Sequence, residues 1–182
     1  MFYCFEEAKE LVYFALVRPH VEYACSLWDP SSKTLINKLE MVQRRSLRFV
    51  CNEYRREEGI VAGLIERKGW LSLKDRRLVA RMCMLYKIVN ENVAIRFSDY
   101  FNFKRSSTRS SHNFIISRPT CTSELVRNSF FYQSIIDWNR LDSDMFVVDS
   151  CEKFKLHLLK SFERGQEQTR KQSSHQHLAV KK

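Results

Sequence analysis

Apolar residues recur at helical spacing over most of the chain, most clearly between Pro30 and Val50. At about 100° per residue, one arc of this segment is apolar and the opposite arc carries Lys38 and several arginines. The predicted buried arc consists of Leu35, Ile36, Leu39, Val42, Ser46, Phe49 and Val50. Asp29 is placed to cap the helix, and Pro30 suits its first position because the missing N–H needs no partner there. The pattern predicts an amphipathic helix over residues 30–50.

The most regular helical pattern follows Ser72, which forms a capping-box pattern with Asp75. Its predicted apolar face consists of Leu78, Val79, Met82, Leu85, Tyr86 and Val89, and its basic face of Lys74, Arg76, Arg77, Arg81 and Lys87. We expect the apolar face to be core rather than a cofactor groove.

Shorter helices are predicted on either side of these two. Pro19 should kink or restart an N-terminal helix, and a short helix around residues 60–65 lies between Gly59 and Gly69. A final helical pair is expected at about 122–141 and 150–164, the second capped by Ser150. Their apolar faces are Phe131, Ile135 and Trp138, then Phe154, Leu158 and Phe162.

Composition suggests where the chain divides. Residues 96–121 are polar, basic and serine-rich around a brief apolar run, and the sequence beyond Gly165 lacks apolar periodicity. We therefore predict a helical subdomain at 1–95, a basic loop at 96–121, a helical pair at 122–164 and a disordered tail at 165–182. With only 4 Gly and 3 Pro for tight turns, the expected fold is mainly α, an irregular helical bundle with at most one short strand or hairpin near 113–118.

Charge and cysteine usage narrow the function class. The net charge of +10 and pI near 9.5 favour polyanionic partners, although solvated surface charge would give the same composition. The six cysteines are spaced singly, which indicates reduced thiols in an intracellular protein, cytoplasmic or nuclear. The apolar run Leu11 to Val17 is too short to span a bilayer, so no membrane partner is expected. The apolar start of the chain suggests that a further domain packs there.

Five blocks carry a family resemblance: LVRPHVEYACSLWDP, LEMVQRR, GWLSLKDRR, LYKIVN and DWNRL, in this order between Leu11 and about Phe162. Together they resemble the segment after the polymerase palm in reverse transcriptases of non-LTR (LINE-type) retrotransposons. The resemblance implies a thumb-like region, and beyond it, that closes over or supports template and primer.

The residues for catalysis are not apparent. Polymerisation uses paired carboxylates that hold two metal ions, and Asp142 and Asp144 fall in a predicted turn rather than beside a strand. No glycine-rich phosphate loop occurs. Cys151, His157, His175 and His177 match no zinc-site spacing, and a nucleophilic pair such as Cys25 with His112 is not distinctive. We therefore expect no enzyme activity, metal or cofactor.

Basic residues between the core-forming segments are the candidate site. Arginine can hold a phosphate with two hydrogen bonds, and aromatic rings such as Tyr54, Tyr100, Phe101 and Phe103 can stack on unpaired bases. The alternative is that these arginines pair with Glu40, Glu53, Glu57, Glu58 and Asp75 on helix surfaces. The candidates for nucleic-acid binding are Arg44, Arg45, Arg48, Arg55, Arg56, Arg76, Arg77, Arg81, Lys104, Arg105 and Arg109.

These observations predict weak binding of RNA or DNA without sequence preference. Two other interpretations stay open. One is a helical interaction scaffold that docks a separately encoded polymerase domain or a second copy of the chain. The other is a decayed open reading frame without a selected function.

Overall fold

The structure, a computed structural model, describes residues 5–104, 114–162 and 164–165, and most of this backbone is helical. In chain order the helices are α1 (Glu6–Val12), α2 (Arg18–Glu22), α3 (Cys25–Trp28), α4 (Lys33–Val50), α5 (Ile60–Lys68), α6 (Leu73–Val89), α7 (Glu124–Arg127), α8 (Phe130–Trp138) and α9 (151–162). A π-helical turn, Tyr13–Val17, joins α1 to α2, and 3₁₀ turns lie at Phe97–Asp99 and Ser143–Phe146. The prediction of a mainly α fold is confirmed.

Pairing between extended segments is confined, among the described residues, to one isolated antiparallel bridge between Phe103 and Ile116. Two backbone hydrogen bonds flank it, from Lys104 N to Ile115 O and from Ser117 N to Asn102 O, each 2.7 Å long. The bridge agrees with the prediction of at most one short strand or hairpin near 113–118.

Two compact units are formed by the described residues. The first consists of residues 5–81 and 121–133, and the second of residues 82–104, 114–120, 134–162 and 164–165. Each unit is made of two stretches that are not adjacent in sequence, because the units are defined by contacts in space. The predicted divisions were based on composition and stay a prediction. The centre of the predicted serine-rich loop and nearly all of the predicted tail lie outside the described residues.

The core of the first unit is built around Trp70. Its ring stacks on Tyr13 with centroids 4.4 Å apart and planes 10° from parallel, and Leu47, Val50 and Leu64 complete the buried cluster. Glycines with positive φ stand at both ends of α5, Gly59 at 85° and Gly69 at 62°. Because other residues rarely adopt this conformation, the two glycines fix where α5 starts and stops, as the sequence predicted.

The buried face of α4 is turned by about one position from the prediction. Leu35 and Phe49, both assigned to the core, are 49% and 48% exposed, and the buried side chains of α4 are Gln43, Leu47 and Val50. Gln43 belongs inside because its amide donates to Leu71 O and accepts from the Leu73 N–H. A buried position of α4 is thus occupied by a polar residue, because its side chain satisfies backbone groups of the segment before α6.

The start of α6 combines a local cap with a distant one. As predicted, Ser72 Oγ accepts from the Asp75 N–H at 3.0 Å and donates to the Asp75 carboxylate at 2.7 Å. The first amides, those of Leu73 and Lys74, donate to the Glu40 carboxylate of α4 at 3.3 and 2.8 Å. The N–H groups that lack partners inside a helix are therefore satisfied by two different parts of the chain.

Aromatic rings pack against one another in the core of the second unit. Trp138 is 1% exposed, and its ring packs against Phe146 at 4.7 Å and Phe154 at 5.9 Å. Phe154 stacks on Tyr86, whose hydroxyl donates to Val148 O. The predicted apolar faces of α6, α8 and α9 are confirmed at their centres, and Ser150 caps α9 through the Lys153 N–H.

One lysine holds α1 against the end of α5. Lys68 Nζ lies 2.8 Å from both Glu6 Oε1 and Glu10 Oε2, and Trp70 Nε1 donates to Glu10. The hydrogen bond from Lys68 lowers the pKa of Glu6 below 4.5. Burial raises the pKa of Glu10, but the hydrogen bonds from Lys68 and Trp70 outweigh it and lower the net value. Hydrogen bonds with Glu10 and Glu6 raise the pKa of Lys68 above 10.5.

These shifts give the pH dependence of stability a definite sign. Carboxylates with lowered folded pKa stabilise the fold above pH 4.5 and lose this contribution as pH falls through their folded values; Lys68 contributes below pH 10.5 and loses it as pH rises further. We expect the free energy of unfolding of Lys68→Met, measured by urea denaturation at several pH values, to fall less steeply below pH 4.5 than that of the natural chain. Lys38→Met, which removes an exposed lysine of α4, should leave this pH dependence unchanged. An equal fall of the unfolding free energy in all three proteins would contradict the role assigned to Lys68.

No helix among the described residues is both long enough and apolar enough to cross a bilayer.

Candidate nucleic-acid interface

A groove between α4 and α5 collects three of the predicted arginines. It has a volume of about 430 Å³ and is lined by Met41, Arg44, Arg45, Arg48, Glu57, Gly59, Val61, Ala62 and Ile65. Three arginines and one glutamate line it together with apolar residues, so the lining carries a formal charge of +2. We call this site the arginine groove.

Helical spacing explains how the arginines reach the groove. Positions 41, 44, 45 and 48 share one side of α4, and Gln43, Leu47 and Val50 occupy the other, buried side. Arg44 and Arg45 are exposed. Within the described part of the chain, neither of them forms a salt bridge with a carboxylate. Their charges are therefore available to an anionic ligand.

Arg48 and Arg55 are held near the edge of this region. Arg48 donates a hydrogen bond to the backbone oxygen of Arg55. Arg55 in turn donates two hydrogen bonds to the Glu53 carboxylate, from Nε to Oε1 at 3.0 Å and from Nη2 to Oε2 at 2.8 Å. These hydrogen bonds hold the pKa of Glu53 at about 2 and raise that of Arg55. Glu57 lies 3.9 Å from Arg55 as well. Arg56 is exposed and, among the described residues, has no carboxylate partner.

The three predicted arginines of α6 are placed differently. Arg76 forms a two-point ion pair with Glu22, while Arg77 and Arg81 share the carboxylate of Asp29. The Arg77 side chain is fully buried, and its Nε lies 2.7 Å from Asp29 Oδ1. We call Asp29, Arg77 and Arg81 the buried ion triad. The alternative of arginine–carboxylate pairing thus holds for Arg55, which pairs with the predicted Glu53 and Glu57. It also holds for the three arginines of α6, but there the acids are Glu22 and Asp29.

The predicted N-cap role of Asp29 is wrong for the same reason. Helix α4 begins at Lys33 after Ser32, which makes no side-chain cap bond, and Asp29 follows the end of α3. Two buried guanidinium groups attract this carboxylate more strongly than free backbone amides can. The sequence could have revealed the triad only through the i, i+4 spacing of Arg77 and Arg81, which places both on one side of α6.

The remaining candidates lie in the second unit or outside the described residues. Lys104 is exposed beside the bridge at Phe103, and Arg105 and Arg109 lie outside the described residues, as do His112, His175 and His177. Of the aromatic candidates, Tyr54, Tyr100 and Phe103 are exposed, whereas Phe101 is 2% exposed and belongs to the core.

The geometry gives little support to a metal site or a nucleophilic cysteine. Among residues 5–104, 114–162 and 164–165, no three His, Cys, Asp or Glu side chains lie close enough together to hold a metal ion. Burial raises the pKa of Cys25, and it raises that of Cys83 to about 12. Because the thiolate is the reactive form, these two thiols are poor nucleophiles at neutral pH.

Comparison of the chain with protein-family models, with curated proteins and with solved structures returns no match.

Proposed function

We propose that the chain binds RNA or DNA weakly and without sequence preference through the arginine groove, and that it does not catalyse polymerisation by itself. The observation that carries the proposal is the convergence of Arg44, Arg45 and Arg48 on one open groove. Guanidinium groups bind phosphate oxygens in pairs of hydrogen bonds, and neighbouring guanidiniums suit the repeated charges of a nucleic-acid backbone.

The resemblance to the post-palm region of non-LTR retrotransposon reverse transcriptases supports the same proposal. In such an enzyme, a basic helical surface behind the palm would hold template and primer during synthesis. We propose this holding role for the arginine groove. The polymerase would need its metal-binding carboxylates from another part of the protein.

The test is fluorescence anisotropy of a labelled RNA strand over a salt series. Each phosphate contact that releases a counterion adds roughly 0.7 to the slope of log affinity against log salt for a single strand. Replacing Arg44 and Arg45 together by glutamine should weaken binding for all sequences and lower the magnitude of the slope by about 0.7 per lost contact. Affinity that is unchanged between low and moderate salt would remove the phosphate-contact model.

A matched control separates the groove from overall charge. Arg96 and Arg140 are also exposed, but they already lie near carboxylates, Asp99 at 3.7 Å and Asp137 at 3.8 Å. Replacing these two by glutamine removes the same formal charge, and we expect a much smaller loss of affinity. Equal losses in the two double variants would show that diffuse positive charge, rather than the groove, binds the nucleic acid.

The interaction scaffold is the second candidate, and a separate observation favours it. Leu11, Leu16, Tyr23 and Leu27, on α1, the π-helical turn and the segment around α3, are 61–81% exposed. Exposed apolar side chains grouped within one part of a chain are typical of surfaces that bind another protein. A chain that binds no RNA even at low salt would favour this second candidate.

A further inference from the structure

Two phenylalanine rings of the second unit stand together at the surface. Phe103 is 46% exposed and Phe114 is 43% exposed. Their ring centroids are 6.5 Å apart and their planes are 73° from parallel. Phe97 stacks on Phe103 at 4.5 Å, and Phe146 packs on Phe114 at 5.3 Å. Each surface ring is therefore supported by another ring.

The backbone beneath the pair is fixed. Phe103 belongs to the antiparallel bridge with Ile116. The Asn139 side chain both accepts from Ile116 N and donates to Ile116 O, each at 2.9 Å. Trp138, a core residue, donates from Nε1 to Phe114 O at 2.8 Å. The two rings are thus positioned by the core rather than by loose loop backbone, so little conformational entropy would be lost when a ligand binds them.

Basic residues that are close to the rings in sequence indicate what kind of ligand fits. Lys104 follows Phe103, Arg118 lies two residues after Ile116, and both side chains are exposed. Among the described residues, no carboxylate forms a salt bridge with Lys104 or Arg118. Partly exposed aromatic rings with positive charges close to them in sequence match a ligand that carries flat rings on an anionic backbone.

We propose that Phe103 and Phe114 form a stacking platform for unpaired bases, which makes single-stranded nucleic acid the substrate class of the second unit. A base packs against the exposed part of a ring while Lys104 and Arg118 attract the adjoining phosphates. A duplex does not fit, since its base faces are already stacked on one another. The platform is formed by other residues than the arginine groove and adds base recognition to the phosphate binding proposed above.

The experiment compares three ligands with the full chain: a labelled single-stranded oligodeoxyadenylate, an abasic strand of the same length, and the matching duplex. All three carry phosphates, but only the first offers free base faces. We expect the natural chain to bind the oligodeoxyadenylate about fivefold or more tightly than the abasic strand. Equal affinity for these two strands would overturn the platform.

Substitutions assign the preference to the rings. Phe103→Leu with Phe114→Leu keeps the sites apolar and should bring the oligodeoxyadenylate down to the affinity of the abasic strand, whereas Phe103→Tyr should retain the preference. Tyr23→Leu removes an exposed ring of the first unit and should change nothing. A preference that survives the double leucine variant would contradict the proposal.

The two proposals fail in different ways. If the natural chain binds the oligodeoxyadenylate and the abasic strand equally tightly and this binding weakens with salt, only the platform is contradicted. Loss of affinity for both single strands in the Arg44 and Arg45 variant, with the base preference retained, supports both. A chain that binds none of the three ligands at low salt would contradict both proposals.

Discussion

Replacing Asp29 by alanine should lower the free energy of unfolding by about 3–5 kcal/mol, measured by urea denaturation followed by circular dichroism. Its carboxylate is shared by Arg77, whose side chain is fully buried, and by Arg81, whose side chain is 11% exposed. Without Asp29, both guanidinium groups of the buried ion triad would lose this counterion while remaining away from water. A loss below about 1 kcal/mol would show that water or another carboxylate takes its place.

The two sides of the triad should respond unequally. Nη1 and Nη2 of Arg77 are buried without a hydrogen-bond partner among the described residues. Arg77→Met removes these unsatisfied groups and leaves Asp29 paired with Arg81, so we expect it to destabilise the fold less than Asp29→Ala does. Asp144→Ala, which removes an exposed carboxylate from a 3₁₀ turn, is the control and should change stability by no more than about 0.5 kcal/mol.

The second large effect is expected at Trp138. Replacing it by alanine should cost about 3–5 kcal/mol, because a buried aromatic side chain is lost and a cavity remains beside Phe146 and Phe154. The hydrogen bond to Phe114 O is lost as well. Thermal denaturation monitored by near-ultraviolet circular dichroism measures the change, and a loss below about 1 kcal/mol would mean that the aromatic core collapses to fill the space.

Two further variants divide this cost into packing and hydrogen bonding. Trp138→Phe keeps an aromatic ring but no donor for Phe114 O, so it should lose less than the alanine variant. Trp28→Ala removes a tryptophan that is 40% exposed. Because this side chain buries less apolar area than Trp138, its loss should lower the free energy of unfolding by less. Equal costs for Trp138→Ala and Trp28→Ala would contradict the assignment of Trp138 to the core.

Helices and their ends were predictable wherever local chemistry sets them. The glycines around α5, the Ser72 and Asp75 cap and the Ser150 cap act within a few residues, and each was identified from spacing alone. The buried face of α4 was not predictable, because Gln43 is buried where it forms hydrogen bonds with backbone groups about thirty residues away. Hydrophobic periodicity carries no information about such a partner.

The candidate site shows the same limit. Nothing in sequence distinguishes Arg44 and Arg45, which are exposed, from Arg77, which is buried, since all three sit in basic pairs on amphipathic helices. Their difference comes from Asp29, which lies 48 residues before Arg77 along the chain. Charge composition predicted the kind of ligand, and tertiary pairing decides which arginines can reach it.

The contact of Glu40 and Gln43 with the first amides of α6 has a consequence for folding order. Ser72 and Asp75 can begin a helix locally, but the amides of Leu73 and Lys74 find these acceptors only when α4 has docked. Until then, the opening turn of α6 can fray and re-form. The beginning of one long helix and the orientation of the other are therefore fixed in a single cooperative step.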